Sequence, residues 1–267
     1  MKEEHSKEAL HVINKVPSIY ILGSPVHTLT LQESVQHISK LLERGGLHQI
    51  ITANPEILYS ARKDEDLQKL IAGASLVTAD GIGVVWAARQ QGEKLRERVT
   101  GIDLMAELLT VAGSKNWSCY FLGAAPGVAE KAGQKIKELH PGLSIAGTRH
   151  GYFKKEEEQI IIEEILEKKP QLLFVGLGAP RQEKWINNLF KTVTEKQARN
   201  LQQAGHIAMG VGGSFDVFAG TVKRAPQWTQ KMHIEWLYRL LSQPTRIKRQ
   251  VRLPLFALEV LRQKRSN

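Results

Sequence analysis

Short apolar runs alternate with amphipathic segments from residue 18 to about residue 220, and this alternation constrains the fold more than any other feature of the sequence. The apolar runs have the length of buried strands, and the segments between them repeat apolar residues at helical spacing. Strands that alternate with helices in this way build a mostly parallel sheet with helices on both faces. We therefore predict a doubly wound, Rossmann-like α/β fold.

The same periodicity gives the predicted element bounds. Strands are predicted over residues 18–22, 48–53, 76–79, 118–122, 143–148, 172–176 and 207–211. Helices are predicted over residues 30–44, from 55, and over 64–72, 82–91, 100–112, 128–139, 155–168 and 181–190. The polar stretch 192–204 is predicted to be a mobile excursion.

Polar residues follow two of the predicted strands between residues 50 and 83. Asn54 comes directly after the first strand and before Pro55, a pair that favours the start of a helix with Asn54 as its N-cap. Asp80 comes directly after the second strand. Ligands of open α/β sheets bind at the carboxyl ends of strands. We therefore expect Asn54 and Asp80 to face one crevice, with Thr52 close by.

Asp80 has two possible roles. A carboxylate in such a crevice can accept the proton of an attacking hydroxyl group if its pKa is suitable. It can equally be the N-cap of the helix predicted to begin near Ile82. These residues alone leave both roles open.

Further polar candidates lie at later strand ends. Arg181 and Gln182 open a predicted helix, where free N–H groups beside an arginine can hold a diphosphate, although both also suit ordinary helix surface. The glycines from Gly210 to Gly213 allow close approach of the backbone to a ligand, or form only a turn. Arg98 either covers the crevice or lies in solvent.

Several patterns narrow the chemistry. The chain has no Walker A loop, GxSxG or HExxH, and Gly176-Leu-Gly178 lacks the third glycine of the dinucleotide fingerprint. Asp64-Glu-Asp66 resembles the DxD of metal-dependent sugar transferases, but a solvated helix surface explains it better. The one cysteine, Cys119, lies in an apolar run and is predicted to be buried, and the nine histidines show no metal-binding pattern.

Positive charge is concentrated in residues 222–267, which hold 11 of the 37 lysines and arginines but 2 of the 27 acidic residues. Apolar residues recur there at helical spacing, at Ile247, Val251, Leu255 and Leu258, without a run that could span a bilayer. A basic amphipathic helix suits an anionic membrane surface. The alternatives are that the stripe packs on the protein body, or that the charge meets nucleic acid, for which no recognition motif is present.

These features divide the chain into three predicted parts. Residues 1–17 form a polar extension without the apolar core of a signal peptide. Residues 18–221 form the α/β domain, and residues 222–267 form a basic helical appendage that docks on membranes. We expect a cytoplasmic protein that is peripheral on the inner face of the cell membrane, with no nucleic-acid partner. Another copy of the chain could cover the apolar stripe away from the membrane, giving a homo-oligomer.

Six sequence blocks occur in the order found in the WecG/TagA/CpsF glycosyltransferases. They are Thr52-Ala-Asn-Pro-Glu56, Ala79-Asp-Gly-Ile-Gly83, Arg98-Val-Thr-Gly-Ile-Asp103, Gly176-Leu-Gly-Ala-Pro-Arg-Gln-Glu-Lys-Trp185, Gly210-Val-Gly-Gly-Ser-Phe-Asp216 and Arg224-Ala-Pro226. The resemblance spans roughly Ser18 to Arg252. It is closest to the branch of N-acetylmannosaminyltransferases that begin wall teichoic acid linkage units.

This resemblance implies transfer of N-acetylmannosamine from a UDP-sugar donor to the 4-hydroxyl of N-acetylglucosamine on undecaprenyl diphosphate, with inversion and without a metal or other cofactor. It makes Asp80 the general base, with Thr52 and Gln182 also in the catalytic site. The implied donor-binding residues are Asn54, Arg98, Arg181, Gly210, Gly213 and Asp216. The appendage residues implied to meet phosphate or membrane are Arg239, Arg246 and Arg249.

Two other functions remain open at this point. The same fold could transfer another UDP-sugar, such as N-acetylmannosaminuronic acid, for a different envelope polysaccharide. The chain could instead be a non-catalytic protein whose basic appendage binds a membrane or nucleic acid.

Overall fold

A computed structural model describes residues 16–195, 204–226, 229 and 251–266 of the chain. Its strands are β1 (Ser18–Ile21), β2 (Ser24–His27), β3 (Gly46–Ala53), β4 (Leu76–Ala79), β5 (Ser118–Gly123), β6 (Ser144–Arg149), β7 (Leu172–Gly176) and β8 (Gly205–Gly210). Its helices are α1 (Leu31–Arg44), α2 (Pro55–Ala61), α3 (Glu65–Ala72), α4 (Ile82–Gln90), α5 (Gly101–Lys115), α6 (Val128–Leu139), α7 (Lys155–Lys168), α8 (Arg181–Glu195), α9 (Ser214–Phe218) and α10 (Arg252–Ser266). The predicted appendage residues Arg239, Arg246 and Arg249 lie outside the described residues, as does most of the extension 1–17.

Six strands form one sheet in the order β4-β3-β8-β7-β5-β6, and every neighbouring pair is parallel. Helices α1, α5 and α6 contribute to the apolar cluster on one face of this sheet. Helices α2, α3, α7 and α8 contribute to two clusters on the other face. The predicted doubly wound α/β fold is confirmed.

The first predicted strand does not join this sheet. β1 pairs with β2 in a separate antiparallel hairpin that sequence analysis missed, with Ile21 opposite Ser24. The two residues between the strands, Leu22 and Gly23, both have positive φ (50° and 83°), as a tight two-residue hairpin turn requires. Leu22 gives little sign of this conformation in the sequence because side-chain-bearing residues rarely adopt it.

The sheet core is built from the predicted apolar runs. Phe121 of β5 and Phe174 of β7 are fully buried, and Phe215 of α9 packs against Phe121 with 5.5 Å between ring centroids. Cys119 is also buried, as predicted, and burial raises the pKa of its thiol to about 12. A cysteine in this state is a packing residue rather than a nucleophile.

Most predicted bounds are confirmed within two residues, with two notable differences. α8 continues to Glu195, so the beginning of the polar stretch 192–204 is helix and not an excursion; residues 196–203 lie outside the described chain. The prediction failed because α8 keeps an apolar face through Val193, which is buried against the sheet. α9 was not predicted, since five residues are too few to show helical periodicity.

The described part of the appendage is α10, which packs on α2 and α4. Phe256 and Val260 are buried in the same cluster as those helices. The predicted stripe is on a different side: Leu255 and Leu258 of α10 are 39% and 44% exposed, and Val251 just before the helix is 58% exposed. Ile247, the first residue of the predicted stripe, lies outside the described residues. Within the described residues, no helix combines the length and apolar character needed to cross a bilayer.

Candidate active site

The carboxyl ends of β3, β4 and β8 bring the predicted site together. Ala53 of β3 lies opposite Ala79 of β4, and the Asp80 backbone N–H donates to the Ala53 carbonyl at 2.8 Å. On the other side of β3, the Thr52 hydroxyl donates to the Gly210 carbonyl at 3.4 Å. The ends of these three strands therefore lie next to one another, as the sequence predicts.

The chain leaves neighbouring strands in opposite directions at this edge. β3 and β7 continue into α2 and α8, which pack on one face of the sheet. β8 lies between them and continues into α9, whose Phe215 packs on the other face. Connections that part in this way leave a crevice at the strand ends, where α/β proteins bind ligands. The segment from Gly210 to Gly213 lies at its centre.

Thr52 is half-buried beside the first residue of α5. A Cβ atom added to Gly101 would lie 3.1 Å from Thr52 Oγ1, so the glycine permits this close contact. The N-terminus of a helix carries partial positive charge. Thr52 thus lies between the end of β8 and a helix terminus that favours negative charge in the crevice.

Asn54 is the N-cap of α2, as predicted. Its Oδ1 atom accepts a hydrogen bond from the Ile57 N–H at 3.0 Å, and Pro55 occupies the first helical position. This contact satisfies one of the unpaired N–H groups of the first turn. Since capping engages the oxygen of the carboxamide, a ligand would be met by its NH₂ group.

Asp80 does not cap α4, so that alternative is wrong. The N-cap position of α4 is occupied by Gly81, which makes no side-chain cap hydrogen bond. Gly81 has a φ of 95°, a conformation that glycine adopts readily and that turns the backbone away after Asp80. Asp80 is half-buried at the end of β4, beside the crevice.

Arg98 is placed next to Asp80 by backbone pairing. The Val99 N–H donates to the Ala79 carbonyl at 3.0 Å, and the Thr78 hydroxyl donates to the Val99 carbonyl at 3.2 Å. The segment around Val99 therefore runs along the end of β4. Arg98 is half-buried in this segment, which agrees better with a place at the crevice than with full exposure to solvent.

Gln182 lies under the crevice rather than in it. Its side chain is buried, and its Oε1 atom accepts hydrogen bonds from the N–H groups of Gly178 and Gly212, each at 3.1 Å. Its Nε2 atom donates to Glu183 Oε1 at 2.8 Å. Gln182 therefore connects the loop after β7 to the loop after β8.

The remaining predicted residues lie around the same strand ends. Arg181 is exposed at the start of α8, with its guanidinium 5.1 Å from the centre of the Phe153 ring. Gly213 is the N-cap of α9, and Asp216 is half-buried one turn later. The carbonyl of Asp216 accepts hydrogen bonds from the N–H groups of Thr221 and Val222, which turns the chain after α9.

The DxD-like segment has a structural role, as expected. Asp64 is the N-cap of α3, accepting from the Leu67 N–H at 3.0 Å, and it forms an ion pair with Lys184 of α8 at 2.6 Å. These contacts hold the pKa of Asp64 below its usual range, chiefly through the hydrogen bond from Lys184. Among the described residues, no group of three His, Cys, Asp or Glu side chains is arranged to hold a metal ion. Independence from metal stays a prediction.

Sequence analysis missed Glu183. Its side chain is 1% exposed, and burial raises its pKa to about 7, since desolvation of the carboxylate outweighs the hydrogen bond from Gln182. The sequence feature that could have pointed to Glu183 was its position beside Gln182, within a block shared with a known family. Its burial could not be seen because it depends on packing between α8 and the distant strand β8.

The chain resembles known sugar transferases over most of its length. The family described as "Glycosyl transferase WecG/TagA/CpsF family" matches residues 19–267. The N-acetylglucosaminyldiphosphoundecaprenol N-acetyl-beta-D-mannosaminyltransferase of Bacillus subtilis (strain 168) is 37% identical over 217 residues, covering 81% of this chain and 80% of the relative. The Staphylococcus aureus (strain MW2) protein of the same name is 36% identical over 248 residues, covering 92% of this chain and 93% of the relative.

The family match includes all six sequence blocks around the crevice, from Thr52 to Pro226. It extends over both the sheet and α10, so no large part of the described fold falls outside it. On this evidence the protein belongs to the WecG/TagA/CpsF family of glycosyltransferases.

Proposed function

We propose that this protein transfers N-acetylmannosamine from a UDP-linked donor to N-acetylglucosaminyldiphosphoundecaprenol. The acceptor and the sugar are those in the names of its relatives, which match at 36–38% identity. The structural observation that carries the proposal is the position of Asp80. It lies at the end of β4 beside the crevice, and Gly81 rather than Asp80 caps the following helix. A carboxylate at this place can meet the hydroxyl group of an acceptor bound in the crevice.

The proposed reaction is a single displacement with inversion. The 4-hydroxyl oxygen of the acceptor attacks C1 of the donor sugar while the bond from C1 to the diphosphate oxygen breaks. The hydroxyl proton passes to the Asp80 carboxylate, and UDP leaves with the bonding electron pair. One general base on the side opposite the leaving group suffices for this chemistry.

The departing UDP gains negative charge, which the site must stabilise. Arg98 beside β4 and Arg181 at the start of α8 are the described candidates, and the N-terminus of α5 beside Thr52 adds partial positive charge. Asn54, Gly210, Gly213 and Asp216 would bind the rest of the donor. Appendage residues Arg239, Arg246 and Arg249 remain predicted contributors. With these groups the reaction needs no metal, and we propose that none is used.

UDP release from UDP-N-acetylmannosamine tests this function, measured with and without a short-chain analogue of the diphospholipid acceptor and in the presence of EDTA. We expect acceptor-dependent release that EDTA leaves unchanged. Asp80→Asn should lower kcat by at least about a hundredfold, as expected for loss of a general base. Asp64→Asn is the matched control, because asparagine also caps helices well.

Other outcomes would reject parts of the proposal. Release from a different UDP-sugar alone would keep the mechanism but replace the donor. Abolition by EDTA would reject the metal-free mechanism. No release from any donor, or full activity in Asp80→Asn, would reject Asp80 as the base and favour a non-catalytic function.

We further propose that α10 docks the enzyme on the anionic inner face of the cell membrane, where its lipid acceptor lies. Leu255, Leu258 and Leu261 are exposed on α10 and Val251 is exposed just before it, while Phe256 and Val260 fix the helix to the body. Arg252 lies at the start of this stripe, and Arg262, Lys264 and Arg265 follow it. An exposed apolar stripe with basic neighbours suits the boundary between anionic headgroups and acyl chains.

Sedimentation with phosphatidylglycerol vesicles tests the docking. We expect binding that weakens with salt, is lost with phosphatidylcholine vesicles and falls strongly in Leu255→Glu/Leu258→Glu. Leu139→Glu is the control, because it changes a leucine on α6 that is even more exposed, at 72%. Equal binding by the double variant would reject this surface. Without lipid, we expect a second copy of the chain to cover the stripe, so that sedimentation velocity shows an oligomer that the double variant does not form.

A further inference from the structure

The buried pair Gln182 and Glu183 has a defined hydrogen-bonding direction. Two backbone N–H groups, from Gly178 and Gly212, face one side of the Gln182 carboxamide and require an acceptor. The Glu183 carboxylate faces the other side and requires a donor. Rotating the carboxamide by half a turn would set donors against donors and oxygen against oxygen. Glu183 and the two backbone N–H groups therefore specify the same orientation of Gln182, and Glu183 is the side chain that does so.

This orientation matters because it connects two loops that strand pairing does not hold. The register between β7 and β8 ends at Val175 and Gly210. Beyond it the loops part toward opposite faces of the sheet, and both Gly178 and Gly212 hydrogen-bond to the single oxygen of Gln182. The Gln182 carboxamide thus bridges the two loops at the crevice.

Neighbouring contacts hold the pair itself in place. The carbonyl of Glu183 accepts a hydrogen bond from the buried Gln49 side chain of β3 at 3.1 Å. Gly210 leaves room for the pair, since a Cβ atom there would lie 2.4 Å from Gln182 Nε2 and 2.9 Å from Glu183 Oε1. The pair is thus wedged between α8, β3 and the end of β8.

We propose that Glu183 is a positioning residue for the sugar-nucleotide donor: it fixes the Gln182 carboxamide, which sets the spacing of the two loops that border the donor site. The inference rests on the proposed function in that it takes the ligand of this crevice to be a UDP-sugar. Glu183 itself is 1% exposed and does not reach the ligand.

The hydrogen bond survives changes in the protonation of Glu183. Burial raises the pKa of this carboxyl to about 7, so both forms are populated near neutral pH. Among the described residues Glu183 Oε2 has no hydrogen-bond partner. A proton on Oε2 leaves Oε1 an acceptor for Gln182 Nε2.

Two measurements on the full chain test the proposal: the affinity for UDP by calorimetry, and hydrogen exchange at the Gly178 and Gly212 amides by NMR. Glu183→Leu removes the carboxylate that accepts from Gln182 and replaces it with a side chain of similar volume. We expect faster exchange at the Gly178 and Gly212 amides and about tenfold weaker UDP binding, which is the effect of losing roughly one hydrogen bond. KM for the donor should rise more than kcat falls. Glu195→Leu, the same change at an exposed position of α8, should alter none of these.

Exchanging the two residues gives the sharper test. Gln182→Glu alone sets two carboxylates against each other and should weaken UDP binding at least as much as Glu183→Leu. In the double variant Gln182→Glu/Glu183→Gln, the new carboxylate accepts from both glycines and from the new carboxamide, so we expect UDP affinity and amide protection to recover to within about threefold of the native values. If Glu183→Leu does not fold, the comparison of this single and double variant decides.

A double variant as impaired as Gln182→Glu, or a folded Glu183→Leu with native exchange and affinity, would overturn the proposal. Amide exchange requires neither ligand nor turnover, and UDP binding requires no acceptor. A native protein that binds UDP but transfers no N-acetylmannosamine would therefore refute the proposed function while leaving this test interpretable.

Discussion

Arg224 forms an ion pair with Asp103, with 2.5 Å between the guanidinium and the carboxylate. The two residues are 121 positions apart in the chain, so this ion pair joins two of the sequence blocks. Asp103 is in the first turn of α5 and also accepts a hydrogen bond from the hydroxyl of Thr100, the N-cap. The segment after α9, which leads into the appendage, is thereby attached next to the helix terminus that contacts Thr52. The base of the appendage and the crevice are thus physically connected.

Breaking this ion pair should reduce activity more than stability. The side chains of Arg224 and Asp103 are 39% and 33% exposed, and ion pairs this close to solvent contribute only about 0–1 kcal/mol to folding. We expect Arg224→Ala to lower kcat/KM about tenfold or more, because the start of the appendage is no longer fixed beside α5. Steady-state kinetics and urea denaturation measure the two effects.

The control is Lys115→Ala, which breaks an exposed ion pair with Glu43 at the other end of α5. It should change neither kinetics nor stability appreciably. Kinetics of Arg224→Ala that match those of Lys115→Ala would show that the Asp103 contact has no bearing on catalysis.

Glu183 should make folding stability depend on pH. Its pKa rises from 4.5 to about 7 on folding, because burial penalises the carboxylate. The folded state therefore holds this proton more tightly than the unfolded state, and the associated stability is complete below pH 4.5 and is lost as the pH rises through 7. The free energy of unfolding should fall by about 3 kcal/mol between about pH 4 and pH 8 from this group alone.

Urea denaturation across this pH range, on the native protein and on Glu183→Gln, isolates the contribution. Glutamine does not titrate, so the difference between the two unfolding free energies should change with pH in the stated direction. A difference that stays constant with pH would mean that Glu183 is not desolvated in the folded protein.

The sequence predicted the parts of the fold and site that local patterns determine. Asn54 before Pro55 marked a helix start, and the strand ends placed Thr52 and Asp80 at one edge of the sheet. It could not predict features that depend on distant contacts. Glu183 can be buried because Gly210 has no side chain to occupy the same space. Gly210 belongs to β8, a strand that ends more than twenty residues later in the chain.

Backbone conformation was a second feature that could not be predicted from the sequence. The role of Asp80 stayed undecided in the sequence because Asp and Gly both occur at helix N-caps. Gly81, which has a positive φ, occupies the N-cap position, so Asp80 is not the N-cap residue; its role as general base stays a prediction. Likewise, the buried and exposed sides of α10 could not be assigned, because both carry apolar residues and only the packing of Phe256 on the body distinguishes them.

Gly210 should not tolerate a methyl group. An added Cβ would lie 2.4 Å from Gln182 Nε2, and this side chain cannot move away without losing its contacts to Gly178 and Gly212. We expect Gly210→Ala to destabilise the protein by about 1–3 kcal/mol and to weaken UDP binding. Thermal denaturation and calorimetry measure these two effects.

Gly92→Ala is the control for the effect of adding a methyl group to a glycine. Gly92 has a φ of 78°, and within the described chain nothing lies within 4 Å of its added Cβ. It should lose about 1 kcal/mol through backbone strain alone, with native UDP affinity. If Gly210→Ala behaved in the same way, the contact between Gly210 and Gln182 would not restrict the site.

The two sides of α10 should respond differently to the same substitution. Phe256 is 2% exposed and packs with α2 and α4, so Phe256→Ala leaves a cavity and should destabilise the protein by about 3–5 kcal/mol. Leu258 is 44% exposed on the same helix, and Leu258→Ala should change stability by less than about 0.5 kcal/mol. Binding to phosphatidylglycerol vesicles should fall in Leu258→Ala because the apolar area presented to lipid is smaller. Denaturation and vesicle sedimentation on both variants separate the roles, and equal stability of the two would show that α10 does not pack on the body in solution.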